Sequence, residues 1–179
     1  GLVSAWKQPI FFDYDFDMNR ETYFEIVRRL YGAKFTVVAT VADLGPSNRG
    51  LLTVLGITTH KMFVEHPCNP SLRIYFFADV PHLLKLIRNH YLDDGFLLPG
   101  EKYISKTGLE ELLEASQSSD LTMTFKLTKH MLDVQGNERM RVPPAAKMFS
   151  NNVSRAVKVC GEKGFIKYSN YKELSYVLK

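Results

Sequence analysis

The sequence predicts an α/β fold that passes into a mostly helical second half, and three observations carry that expectation. Phe35 to Asp43, FTVVATVAD, is an unbroken apolar and Thr/Val-rich run between Gly32 and Gly45-Pro46-Ser47-Asn48, the pattern of a central strand buried on both faces. Leu72 to Phe77, LRIYFF, is a second run of that kind, and each is closed by a carboxylate, Asp43 in one case and Asp79 in the other. Around them apolar residues recur at helical spacing. In open α/β sheets the C-terminal edge of the strands is where ligands and catalytic groups collect. Spacing alone leaves Asp43 equally readable as the first residue of a turn through Gly45 and Pro46.

Taken in order, Ala5 to Tyr14 reads as a first strand with an irregular start at Pro9. Asp13, Asp15 and Asp17 alternate after it, which is more readily a solvated strand end than a cation site, because like charges that close repel. Asn19 is placed to cap a helix whose apolar face is Tyr23, Ile26, Val27 and Leu30, closed by Gly32. After Asp43 a short helix is expected, with Ser47 as cap, Leu51, Leu52 and Leu55 buried, and Gly56 as its end. Ile57 to Ser71, with Pro67 and Pro70, reads as a loop. Beyond Leu72 to Phe77, Pro81 opens a helix that turns Leu83, Leu84, Ile87 and Tyr91 inward and Lys85, Arg88 and Asn89 elsewhere. Asp79 and His82 flank its start, where they either cap and pack or orient a metal or phosphodiester.

In the second half, Thr107 to Glu110 is a T-x-x-E helix start with Leu109, Leu112 and Leu113 on one face. Leu121 to Leu127 alternates as a short strand would. From Pro143-Pro144 one long helix is expected, with Ala145, Phe149, Val153, Ala156, Val157 and Cys160 as its stripe until Gly161 or Gly164. Its first turn follows Arg141 and Val142, and a helix N-terminus beside a cation suits an anion. No G-x-x-x-x-G-K-[ST] phosphate loop exists in the chain, so a nucleotide site here is built differently.

Composition bounds the functional classes. With 179 residues, 45% hydrophobic and 23% charged, the chain can bury a core and is not of disordered composition. A net charge of +4 permits phosphate-bearing partners, although Lys and Arg are scattered rather than run together. Cys68 and Cys160 lie far apart, which makes a reduced intracellular compartment the default. His60, His66 and Cys68 lack the matching second pair that a zinc site needs. No stretch approaches the roughly 20 apolar residues of a membrane span, so a soluble protein without a membrane partner is expected. A chain that starts at Gly1 without Met and ends at Lys179 within a helical pattern reads as a piece of a longer one.

The strings KQPIFFDYDFD, VVATVADLGPSN and HPCNPSLRIYFFADVPHLLKLIRNHYLDDGF resemble the P element type of DNA transposase, the family with THAP-domain-bearing relatives. The last string is the most specific, because a strand, D-x-P-H and LLKLIRNHY far exceed a chance motif. The resemblance covers nearly the whole chain. It implies that residues 1–92 are part of a ribonuclease H-like catalytic core and that residues 93–179 begin a GTP-binding insertion domain, mostly α-helical.

The resemblance places Asp43 as the second of three catalytic acids and as a metal ligand, with Asp79 and His82 as the supporting D-x-x-H pair. It puts the first aspartate upstream of Gly1 and the glutamate beyond Lys179, so this chain alone is expected to be inert. Three clustered carboxylates hold two divalent cations, Mg2+ in the family, for in-line attack on phosphorus. By the same resemblance Lys126, Arg141, Val142 and Ser150 line a guanine nucleotide, and Arg141 stands where relatives tend to carry Lys. The function implied is that of a fragment of a GTP-dependent, cut-and-paste DNA transposase. Its partners would be transposon-end and target DNA in the nucleus, with GTP and a homo-oligomer in the complete protein. A domesticated DNA- or nucleotide-binding protein that kept the fold without the chemistry is the alternative, and a plain α/β interaction module would leave the D-x-P-H string unexplained.

Overall fold

The computed structural model describes residues 7–118 and 127–179. Packing divides the chain into two compact units, Gly1–Asp79 and Val80–Lys179. Among the described residues no helix is long and apolar enough to cross a membrane.

In the first unit, α1 (Arg20–Gly32) and α2 (Pro46–Val54) accompany a three-stranded sheet of β1 (Ala39–Ala42), β2 (Phe63–His66) and β3 (Asn69–Ala78). Asn19 caps α1 as expected, its side chain accepting from Thr22 N–H at 2.9 Å. The order is β1-β3-β2, with β1 parallel to β3 in the register Ala39↔Tyr75 to Ala42↔Ala78 and β2 antiparallel to β3. Tyr23 and Val27 of α1 and Leu55 after α2 bury Val64, Ile74 and Phe76, so one face of the sheet is a core. The Tyr23 hydroxyl ends 2.7 Å from Thr40 Oγ1, tying α1 to β1.

The opposite face corrects the expectation of a strand buried on both sides. Val41, Tyr75 and Phe77 are 63%, 43% and 56% exposed. An apolar run signals two covered faces without saying which residues cover them, and here helices cover one. The regular strand is also shorter than FTVVATVAD: Ala39 to Ala42 pair with β3, and before them Val38 O accepts from Tyr75 N–H at 3.0 Å. Residues 7–14 form no strand either: they are exposed, and Asp15 turns the chain with φ 49°. The Ile57–Ser71 loop contains β2, a segment too short and too close to Pro67 to announce itself, which β3 stabilises by pairing. Gly45 stands at the N-cap of α2, while the Ser47 hydroxyl donates to Asp17 Oδ1 at 2.6 Å.

The second unit contains α3 (Val80–Asp93), a hairpin of β4 (Phe96–Leu98) and β5 (Lys102–Ile104), α4 (Thr107–Ser118), α5 (Lys129–Leu132), a 3-10 turn (Gly136–Met140), α6 (Val142–Met148), α7 (Asn151–Glu162) and α8 (Tyr171–Val177). Its core gathers Tyr91, Ile104, Leu109, Leu112, Met148, Val157, Cys160 and Leu174. Packing of α3 on α6 and on the 3-10 turn places that helix in the second unit, whereas the sequence reading draws the division at residues 92/93. The strand expected over Leu121 to Leu127 lies outside the described residues, save Leu127, which is buried.

Two expectations in this unit are corrected. The face of α3 is rotated: Arg88 is fully buried with Tyr91 and Leu92, while Ile87 is 37% exposed. The long helix after Pro143-Pro144 is two helices, broken at Phe149, where ψ is 73°, and restarted by Ser150. Ser150 accepts from Val153 N–H at 3.5 Å and donates to Lys147 O at 2.7 Å. Serine is a common N-cap because its oxygen replaces a missing intrahelical acceptor.

Candidate functional site

Parallel pairing decides the geometry around Asp43. Ala42 pairs with Ala78, and the Asp79 N–H donates to Ala42 O at 2.8 Å, so the ladder runs to the last residue of each strand. Asp43 and Asp79 therefore leave neighbouring strands at the same edge, the C-terminal one. Both are half-buried. Asp43 Oδ1 accepts from Gly45 N–H and from Asn48 Nδ2, each at 2.8 Å, which fixes the carboxylate against the first turn of α2. A Cβ on Gly45 would stand 2.9 Å from that oxygen, so the turn after β1 needs glycine to hold the acid in place. Asp43 thus opens the turn through Gly45 and Pro46 and also stands at the C-terminal edge of the sheet.

Hard carboxylate oxygens at a strand edge suit Mg2+ in ligand type. Among the described residues no group of three or more His, Cys, Asp or Glu could hold a metal. His82 is half-buried in the first turn of α3, beyond the division between the units. The other metal candidates resolve structurally. His66 is 1% exposed, packs on Tyr31 at 4.9 Å and accepts from Cys68 N–H through Nδ1, a core histidine at a hairpin turn. Asp13, Asp15 and Asp17 are exposed, and Asp17 is tied to Ser47.

Three of the nucleotide candidates, Arg141, Val142 and Ser150, sit at helix starts. Lys126 lies outside the described residues. Arg141 is the N-cap of α6 and Val142 its first residue. The Arg141 side chain is 69% exposed, with Glu138 at 3.8 Å. Pro143 and Pro144 have no N–H, so of the first turn's donors Val142 keeps its own and its two successors supply none. Ser150 starts α7, one helix further on; at 1.5 Å per residue α6 separates it from Arg141 by about 10 Å. An exposed guanidinium beside a free-standing helix start fits a phosphate oxygen, whereas the Ser150 hydroxyl already serves its cap.

Sequence reasoning missed what holds this corner. Arg88 Nη2 donates to Arg139 O at 2.6 Å, Arg88 Nε to Asn89 Oδ1 at 2.8 Å, and Asn89 Nδ2 to Arg139 O at 3.4 Å. The Arg139 side chain forks onto Asp93, Nη1 to Oδ1 at 3.0 Å and Nη2 to Oδ2. Three residues of α3 therefore grip Arg139, two positions before Arg141. Arg88 Nη1 is buried without a hydrogen-bond partner, and burial first, then the Arg139 charge, lowers the Arg88 pKa. The Arg139 hydrogen bond holds the Asp93 carboxyl below its usual range. The only hint in the sequence is that Arg88 and Asn89 lie one turn from Tyr91 and Leu92.

Comparison with known proteins agrees with both halves. Residues 81–177 match the family model described as the TNP-like, GTP-binding insertion domain. The chain is 39% identical over 165 residues to the Transposable element P transposase of Drosophila melanogaster, covering 92% of this chain and 22% of that protein. It is 24% identical over 169 residues to DNA transposase THAP9 of Homo sapiens, covering 88% of this chain and 18% of that protein. The solved Drosophila P element transposase strand transfer complex superposes with a TM-score of 0.90 at 36% identity, covering 98% of this chain and 39% of that one. The chain thus spans about a fifth of the length of these curated relatives. The sheet with its acidic edge is the ribonuclease H-like part of an α/β fold, and the helices after it are the insertion. The chain belongs to the P element type of transposases, and residues 81–177 to that family's GTP-binding insertion domain.

Proposed function

We propose that this chain is a piece of a GTP-dependent DNA transposase that moves DNA by cut-and-paste polynucleotidyl transfer. The observation that carries this reading is the β1–β3 register, which brings Asp43 and Asp79 out side by side at the C-terminal edge of a parallel pair. Asp43 is the catalytic acid and metal ligand; Asp79, with His82, supports it. Divalent cations such as Mg2+, when bound, would activate a hydroxyl nucleophile and stabilise the leaving oxygen. Asp43, fixed by Gly45 N–H and Asn48, supplies a negative oxygen that needs little reorganisation. One carboxylate does not hold two metals, so the remaining acids come from parts of the parent protein beyond this chain, which by itself is inert. Transposon-end and target DNA are the substrates, met in the nucleus by a homo-oligomer of the complete protein.

In the insertion, Arg141 and the Val142 N–H meet the phosphates of GTP, joined by Lys126 and, at the next helix start, by Ser150. GTP serves assembly on DNA and is not hydrolysed, since the chain has no phosphate loop whose lysine and hydroxyl would support turnover.

The test is Asp43→Asn in the complete parent protein. The amide keeps the shape and loses the charge, so strand transfer should vanish while folding and DNA binding persist. Joining at a near wild-type rate would refute the assignment, and an already inactive parent would favour the domesticated, non-catalytic reading. For the nucleotide, Lys126→Ala with Arg141→Ala should severely weaken GTP binding by the complete insertion domain in calorimetry; unchanged affinity would remove both residues from the site.

A further inference from the structure

A groove between α7 and α8, of about 790 Å³, is lined by Arg155 and Lys158 on α7, by Lys172 on α8 and by Lys179 just past the end of α8. Glu162 is the one carboxylate along it. All four cations are exposed, and among the described residues none is in an ion pair. Several basic residues elsewhere are ion-paired, Arg28 and Arg29 with Glu25, Lys102 with Glu173, Lys106 with Glu110 and Arg139 with Asp93, whereas these four stand together around one groove. Tyr176 stands in the same groove and is 81% exposed. The floor is rigid, because Ser154 Oγ of α7 donates to Ser175 O of α8 at 2.7 Å and both serines are buried.

We propose that this groove binds a DNA strand, with the four cations on its phosphates and Tyr176 stacked on an unpaired base. Cations in two facing rows suit a linear polyanion, and a single aromatic ring without an apolar face around it suits a base rather than a membrane. The choice of DNA among polyanions rests on the transposase reading, whereas the charge of the groove does not.

Fluorescence anisotropy of a labelled 20-nucleotide single strand with this chain, across a salt series, tests it. Lys158→Ala and Lys172→Ala should each reduce the slope of log affinity against log salt by about 0.7. Tyr176→Ala should weaken binding by about 5- to 150-fold with the slope unchanged. Lys61→Ala, on the sheet side of the chain, should change neither. No binding at low salt, slopes unmoved by the lysine changes, or an equal effect of Lys61→Ala would overturn the proposal. So would equally tight binding of polyglutamate with no effect of Tyr176→Ala. Failure here separates from failure of the transposase reading: Asp43→Asn abolishing strand transfer while the groove variants bind normally keeps that reading and overturns this one, and the reverse result does the opposite.

Discussion

Alanine at Gly161 and at Gly50 should move stability in opposite directions. Both glycines lie within helices, α7 and α2, where alanine is favoured over glycine by about 1 kcal/mol. At Gly50 nothing stands within 4 Å of the added carbon, so that gain should be realised, about 0.5–1 kcal/mol. At Gly161 the carbon would lie 2.2 Å from Cγ and Cδ2 of Tyr171, the first residue of α8. Carbon pairs in contact sit at about 3.5–4 Å, so the ring must move by more than 1 Å. Those atoms are the root of a half-buried ring packed on the core, not the tip of a mobile chain. Overpacking of this kind costs about 1–3 kcal/mol, and the larger end applies when a helix must shift. Set against the helical gain, the net is a loss of about 1–2 kcal/mol. Urea unfolding of each variant, followed by a probe in its own unit, should lower the midpoint for Gly161→Ala and raise it for Gly50→Ala. A Gly161→Ala chain as stable as the parent would refute the close approach of α7 and α8, and with it the shape of the groove between them.

Arg88→Met should lie within about 1 kcal/mol of the parent in stability, because losing the bond to Arg139 O is offset by relief of a buried charge. Arg88→Lys should be worse than Arg88→Met, since it keeps the charge and loses the fork; thermal melts ranking lysine above methionine would contradict this. Asp93 titrates below its ordinary value in the folded chain, so its pairing with Arg139 stabilises above the unfolded carboxyl pKa and is lost as pH falls through the folded one. Asp93→Asn should therefore destabilise at pH 7, by under about 1 kcal/mol for so exposed a pair, and converge with the parent in strong acid. A gap that persists there would assign the effect to packing.

The sequence by itself determined the pieces whose causes are local. Asn19 caps α1 through its own side chain, Pro81 starts α3 where its missing N–H is harmless, and both apolar runs stop on carboxylates. The specific strings around Asp43 and D-x-P-H carried the family and hence the insertion. Tertiary structure decided what depends on partners distant along the chain. β2 exists because β3 pairs with it, and the shortened β1 ends where that pairing ends. Only register could show that Asp43 and Asp79 emerge together, since they are separated by α2 and a hairpin. Arg88 reads as a surface residue until Arg139 O, 51 positions away, gives its guanidinium a buried acceptor. The break before Ser150 was likewise hidden, because a continuous apolar stripe fits one helix or two, and the choice fell to Ser150 closing on Lys147 O and Val153 N–H. Periodicity records which side chains are buried, whereas hydrogen bonds between distant segments decide where backbone elements stop and which charges they bring inside.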